Sequence, residues 1–226
     1  MTDSSGTRRL YAAALVGIVI YVVLDAVAQS LPPHYSPISQ AESDLAVGPF
    51  GYIMTVNFLN RGLLSFAFLA AFAGSAKQLR LDVSGYRTGM ALLGVWSVGA
   101  ILLAIFPTDV PATPVTLHGL IHLVVALFAF LGGALGALAV SLRMWKVEAL
   151  RRIRSLALTV ACVSVFLCLL DLLERSISKA LANDYGGLIE RLFLGSVLLW
   201  IAVMSGYFVT REEAPATPAG AELRIV

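Results

Sequence analysis

Six apolar runs of about 20 residues or more punctuate this chain, at 10–31, 50–76, 86–106, 117–142, 153–173 and 187–210. A hydrocarbon core about 30 Å thick takes about 20 helical residues to cross. Inside it a spanning segment must satisfy its own backbone hydrogen bonds, which makes the helix the fold for runs of this length. The sequence therefore predicts an all-α fold, an integral membrane bundle of six transmembrane helices. Hydrophobic residues at 58% and charged residues at 13% agree, since they lie well outside the balance of a soluble domain. Residues 1–9 and 211–226 flank the bundle at 10–210, the latter as an Ala- and Pro-rich tail expected to be disordered. The first run is too long for the apolar core of a cleavable signal peptide and is expected to stay as a helix.

Lys and Arg in short loops remain cytoplasmic. They cluster at Arg8 and Arg9, at Lys77, Arg80 and Arg87, and at Arg143, Lys146, Arg151, Arg152 and Arg154. The connection 32–49 has neither residue and carries Glu42 and Asp44, while 110–116 has no charge. Arg175 and Lys179 break the pattern in the last outer loop but are balanced by Glu174 and Asp184. Both termini are thus expected inside a cytoplasmic membrane. The net charge of +2 resides in the inner loops, where it anchors helix ends to anionic lipid rather than forming a nucleic-acid surface. Cys162 and Cys168, six apart on one helix, point apart and do not suit a disulfide. Gly85 with Gly89, and Gly132 with Gly136, have the spacing that lets helices approach closely, within one chain or in a homodimer.

Ionisable and strongly polar side chains within the spans gather at their outer ends. A charge near the bilayer centre costs about 2.5–3.5 kcal/mol, so these groups are expected to face one another. Asp25 and Gln29 share a helix face at a spacing of four. Asn57, Asn60 and Arg61 follow in the second span, with Arg61 roughly 15 Å below its outer start and expected to pair with Asp25, Asp171 or Glu190. Glu190 and Arg191 diverge by about 100°, so one faces the bundle and the other the headgroups. In the first outer loop, Ser43 or Asp44 either caps a short helix or forms a lid over the cluster. Asp25, Ser43, Asp44, Asn57, Arg61, Asp171, Glu190 and Arg191 make up the candidate ligand-binding set.

His118 and His122 form H-x-x-x-H at the outer start of the fourth span, after Phe106-Pro107-Thr108-Asp109. Two imidazoles four apart with an aspartate such as Asp109 suit zinc, although the Glu of H-E-x-x-H is missing. A hydrogen-bonded core histidine pair is the plainer alternative.

The Ser43-Asp44-Leu45 stretch, the Phe106-Pro107-x-Asp109 step before His118 and His122, and Gly187-Leu188-x-Glu190-Arg191-Leu192 with Leu199-Trp200 occur in an order that resembles the bacterial family of domain of unknown function 998. The resemblance covers about 10–210 and implies a six-helix membrane protein. It carries no established catalytic residues. Three functions therefore compete: a pocket for a small polar ligand or lipid headgroup, a metal-dependent hydrolase of a lipid ester or amide, and a structural network in a partner-binding protein. P-loop and dinucleotide fingerprints are absent, and no internal repeat or mid-span Gly/Pro break suggests a transporter.

Overall fold

The computed structural model describes residues 4–33, 35–79, 84–110, 113–177 and 185–210, and for Ser4, Gln78, Ser84, Arg175, Ser176 and Ile177 the backbone alone. Six helices make up the fold: α1 Ser4–Ser30, α2 Gly51–Gln78, α3 Ser84–Ile105, α4 Leu117–Met144, α5 Arg154–Ile177 and α6 Gly186–Thr210. Short 3-10 turns lie at Glu42–Ala46 and Glu148–Leu150, and the described residues contain no strand. All six helices are long and apolar enough to cross a membrane, so the protein is a multi-pass membrane protein. The ends differ from the apolar runs by a few residues. The largest difference is at α1, whose backbone ladder continues through Thr7, Arg8 and Arg9. The tail 211–226, and Arg80, Lys179 and Asp184 from the orientation argument, lie outside the described residues, as does the Arg175 side chain.

Each helix packs on the next, and α6 closes back on α1, so the six form a ring. Contacts from α6 to α2 and to α4 cross its interior. One end carries the termini and the α2–α3 and α4–α5 connections and is termed the basic end. The other carries the 31–50 connection and is termed the lid end.

Lipid tails are as apolar as leucine, so burial from water does not drive these helices together. Close packing and interhelical hydrogen bonds do. At the α3–α4 seam, a Cβ on Gly136 would stand 3.0 Å from the Gly89 carbonyl oxygen, and one on Gly132 would stand 2.6 Å from that of Leu92. Gly85 lies under the Arg143 guanidinium. These glycines are thus occupied by close packing between the chain's own helices.

The basic half is an aromatic cluster. Phe68 stacks on Phe72 at 5.5 Å and meets Trp200 edge-on at 5.5 Å, while Tyr11 stacks on Phe208 at 5.0 Å. Offset and edge-on pairs of this kind contribute about 0.5–1.5 kcal/mol each. The polar tips are satisfied: Tyr11 donates to Ser75 Oγ at 2.9 Å and Trp200 Nε1 to Ser141 Oγ at 2.9 Å. Both cysteines are free, Cys162 exposed and Cys168 buried.

Candidate functional site

Two asparagines fix α1 against α2 on the way to the lid end. Asn60 Nδ2 donates to the Gly17 carbonyl at 2.9 Å, and Asn57 Nδ2 to that of Tyr21 at 3.2 Å. Such bonds between spans contribute on the order of 0.6 kcal/mol. The Asn57 amide nitrogen is thus engaged between helices, while its Oδ1 is buried without a hydrogen-bond partner. On α1, Tyr21, Asp25 and Gln29 recur every four residues, and Gln29 donates to Asp25.

The 31–50 connection folds down over this face. Tyr35 donates to the Ala41 carbonyl at 2.8 Å. Leu45 is buried among Ala28, Met54, Phe58 and Leu103. Gly48 takes φ +94°, a left-handed conformation that side chains with a Cβ disfavour, and so lets the chain reverse into α2. Ala41 occupies the N-cap of the Glu42–Ala46 turn, and no side chain caps it. The capping role expected for Ser43 or Asp44 is therefore not realised.

This turn buries Glu42, which is 1% exposed. Its two carboxylate oxygens lie 2.7 and 2.6 Å from the Tyr21 hydroxyl, which donates to them. Burial, reinforced by the Asp25 charge, pushes the Glu42 carboxyl up to about 7, against the opposing pull of Arg61 and the Tyr21 hydrogen bond. Neither Glu42 nor Tyr21 is among the candidates that the sequence offers. The spacing Tyr21-Asp25-Gln29 could have revealed the phenol. Nothing in a loop sequence marks Glu42 as turned inward.

Arg191 holds the connection in place. Its Nη1 lies 3.0, 2.9 and 3.0 Å from the carbonyl oxygens of Pro37, Gln40 and Gly187, its Nη2 donates to the Tyr35 hydroxyl, and its guanidinium carbon stands 5.5 Å from the Tyr35 ring centre. Leu188 N–H adds a bond of 2.9 Å to the Ile38 carbonyl. Gly187 lies so close to the Gln40 backbone that a Cβ would collide with it. Of the adjacent pair whose directions the sequence left open, Arg191 thus faces the connection, and Glu190, 4% exposed, faces the interior.

Arg61 departs from expectation. Its guanidinium carbon lies 4.9 Å from the Trp96 ring centre and 5.2 Å from that of Phe58, a cation–π sandwich in place of the ion pair foreseen with Asp25, Asp171 or Glu190. Nε and Nη2 are buried with no hydrogen-bond partner, and the residue is 1% exposed. Trp96 is itself fixed by donating to Ser65 Oγ at 3.1 Å.

Arg61 lines a cavity of about 30 Å³, room for roughly two waters. Ser43 from the connection, His122 from α4 and Glu190 from α6 supply its other polar walls, and Phe58, Leu103, Leu123, Ala126 and Phe130 complete it. His122 Nδ1 lies 2.8 Å from the Phe106 carbonyl oxygen and so carries a proton there. Of the ligand candidates, Ser43, Arg61 and Glu190 meet at this cavity. Asp25, Asp44, Asn57 and Arg191 lie around it without lining it, and Asp171 is buried on α5 beside Cys168, also off its wall.

The zinc candidates do not converge. Asp109 accepts from Thr116 N at 2.9 Å and from Thr116 Oγ1 at 2.6 Å, which holds its carboxyl below the usual range, and Thr116 Oγ1 accepts from Gly119 N at 3.1 Å. The Phe106-Pro107-x-Asp109 step thus organises the start of α4, where Gly119 leaves space for the carboxylate. His118 is exposed against Phe106, with ring centres 5.5 Å apart. Among the described residues no three His, Cys, Asp or Glu side chains are grouped to hold a metal ion.

The family described as a protein of unknown function, DUF998, matches residues 15–207. No curated protein and no solved structure matches the chain.

Proposed function

The chain belongs to the DUF998 family, and from the site itself we propose that Arg61 binds the oxyanion of a small polar molecule or headgroup at the cavity beneath the 31–50 connection, which enlarges from its resting volume of about 30 Å³ to admit it. The lid end faces outward in a cytoplasmic membrane, as the positions of Lys and Arg support.

One observation carries the reading: Arg61 lines the cavity while its Nε and Nη2 lack acceptors. Leaving a buried donor unsatisfied costs about 1–3 kcal/mol, and more for a charged group. An oxyanion accepts from a guanidinium in a charge-assisted bond, often with two oxygens at once. Glu190 on the same wall accepts hydrogen bonds from a hydroxyl or ammonium, so a ligand with both an oxyanion and a donor group uses both residues.

The test is a thermal unfolding series on the purified full chain with phosphate- and carboxylate-bearing metabolites and lipids, for wild type and Arg61→Gln. A ligand present at about 100 times its Kd stabilises by about 2.7 kcal/mol, a shift of roughly 5–10 °C for a chain of this size. Wild type should show such a shift for at least one compound, and Arg61→Gln should lose it. Equal shifts in both proteins would remove the basis of the proposal.

A further inference from the structure

The cavity reaches the flank of the bundle. Leu123, one of its wall residues, is 51% exposed. It stands six residues into α4, roughly 9 Å down the span at 1.5 Å per residue. Leu120 and Leu127, a turn to either side, are exposed as well, so this face of α4 is the one that meets acyl chains. The same leucine therefore borders lipid on one side and, through the cavity, the neighbourhood of Arg61, His122 and Glu190 on the other. Over the top, the connection is fastened to α6 through Arg191 and the Leu188–Ile38 bond. The approach past Ser43 lies under the fastened connection, and on the membrane side Leu123 is the one wall residue that is exposed.

We infer that the ligand is an amphiphile whose phosphate-bearing headgroup enters sideways past Leu123 while its acyl chains stay in the bilayer. The inference rests on the binding reading above and narrows it to a lipid source. The chemistry at Arg61 is common to a lipid phosphate and a free one. Attached tails are what separate the two: a phospholipid already lies beside the opening at high local concentration, whereas a free headgroup must pass the fastened connection.

The experiment compares matched probes on the detergent-purified full chain. Phosphatidylethanolamine is set against phosphoethanolamine, and phosphatidylglycerol against glycerol 3-phosphate. Each is tested on wild type, Arg61→Gln, Leu123→Trp and Leu120→Trp. At least one phospholipid should raise the unfolding temperature of wild type by about 5 °C or more, while its free headgroup has no effect at about a hundredfold higher concentration. Leu123→Trp fills the opening and should abolish the shift. Leu120→Trp, which places the same bulk one turn away on the exposed face, should keep it. Leu120 is half-exposed and lies off the cavity wall, so this change leaves the packed interior alone. A free headgroup that stabilises wild type as strongly as its lipid, or a lipid shift that survives Leu123→Trp, overturns lateral entry and leaves binding at Arg61 intact. If no lipid or headgroup produces a shift that depends on Arg61, both readings fall.

Discussion

The basic half and the lid half of the bundle are built from the same six helices yet solve opposite problems. In the basic half, Tyr11 and Trp200 bury large rings and end on serine hydroxyls, with Phe68 and Phe72 packed between them. In the lid half, a carboxylate, an imidazole and a guanidinium are buried around a cavity, and the guanidinium keeps two nitrogens without acceptors. The first arrangement stabilises a membrane bundle through dense packing. The second costs stability, and such costs concentrate where a protein acts on something else. The contrast locates function by where the molecule departs from its own best packing.

Three measurements test that contrast, beginning with the largest effect. Phe68→Ala should cost about 3–5 kcal/mol in denaturant titration of the micelle-embedded chain, because a ring in a closed aromatic cluster leaves a void on removal. Phe58→Ala, beside an existing cavity, should cost clearly less. Equal losses would mean that the two halves are packed alike.

The second concerns pH. The Glu42 carboxyl is raised from 4.5 to about 7 in the folded protein, so the folded state holds this proton more tightly than the unfolded one. Its contribution to stability is complete below about 4.5 and is lost as pH rises through about 7, a change on the order of 3 kcal/mol. Unfolding temperatures measured from pH 4.5 to 8 should fall across this window in wild type and run much flatter in Glu42→Gln. A wild-type profile as flat as the variant's would place Glu42 in a solvated setting.

The third has the smallest expected effect and the greatest power to discriminate. Breaking a buried ion pair by removing one partner costs about 3–5 kcal/mol. Arg61 is instead held between two rings, so Arg61→Met should leave stability within about 1 kcal/mol of wild type or raise it, while abolishing any ligand response. A loss on the scale of a broken ion pair would make Arg61 a structural residue and erase the distinction between the halves.

How much of this could be read from the sequence depends on what kind of element a residue occupies. The six spans were legible because the hydrocarbon thickness sets their length, and α2, α4 and α6 begin within one residue of the predicted runs. Ser43, Arg61 and Glu190 were legible as candidates because a charge or loop residue at membrane depth has few bland explanations. Their grouping at one cavity was not, since helical periodicity fixes faces within a helix but not the rotation of one helix against another. The ion pair foreseen at Arg61 assumed that only acids can compensate a guanidinium, and Phe58 and Trp96 do so through their ring faces. Glu42 stands in the sequence only as an acid of an outer connection. What turns it inward is the docking of residues 35–40 on α6 through Arg191, a contact 151 residues away in sequence from Gln40. The paired histidines looked equivalent at a spacing of four, yet the Phe106 carbonyl takes the inner one and leaves the outer at the surface.

The clamp at Arg191 carries one more consequence. One nitrogen with two protons serves the backbone oxygens of Pro37, Gln40 and Gly187, which lie on both sides of the seam between the connection and α6. Three anchor points of the roof therefore depend on a single side chain, and one substitution there removes them all together.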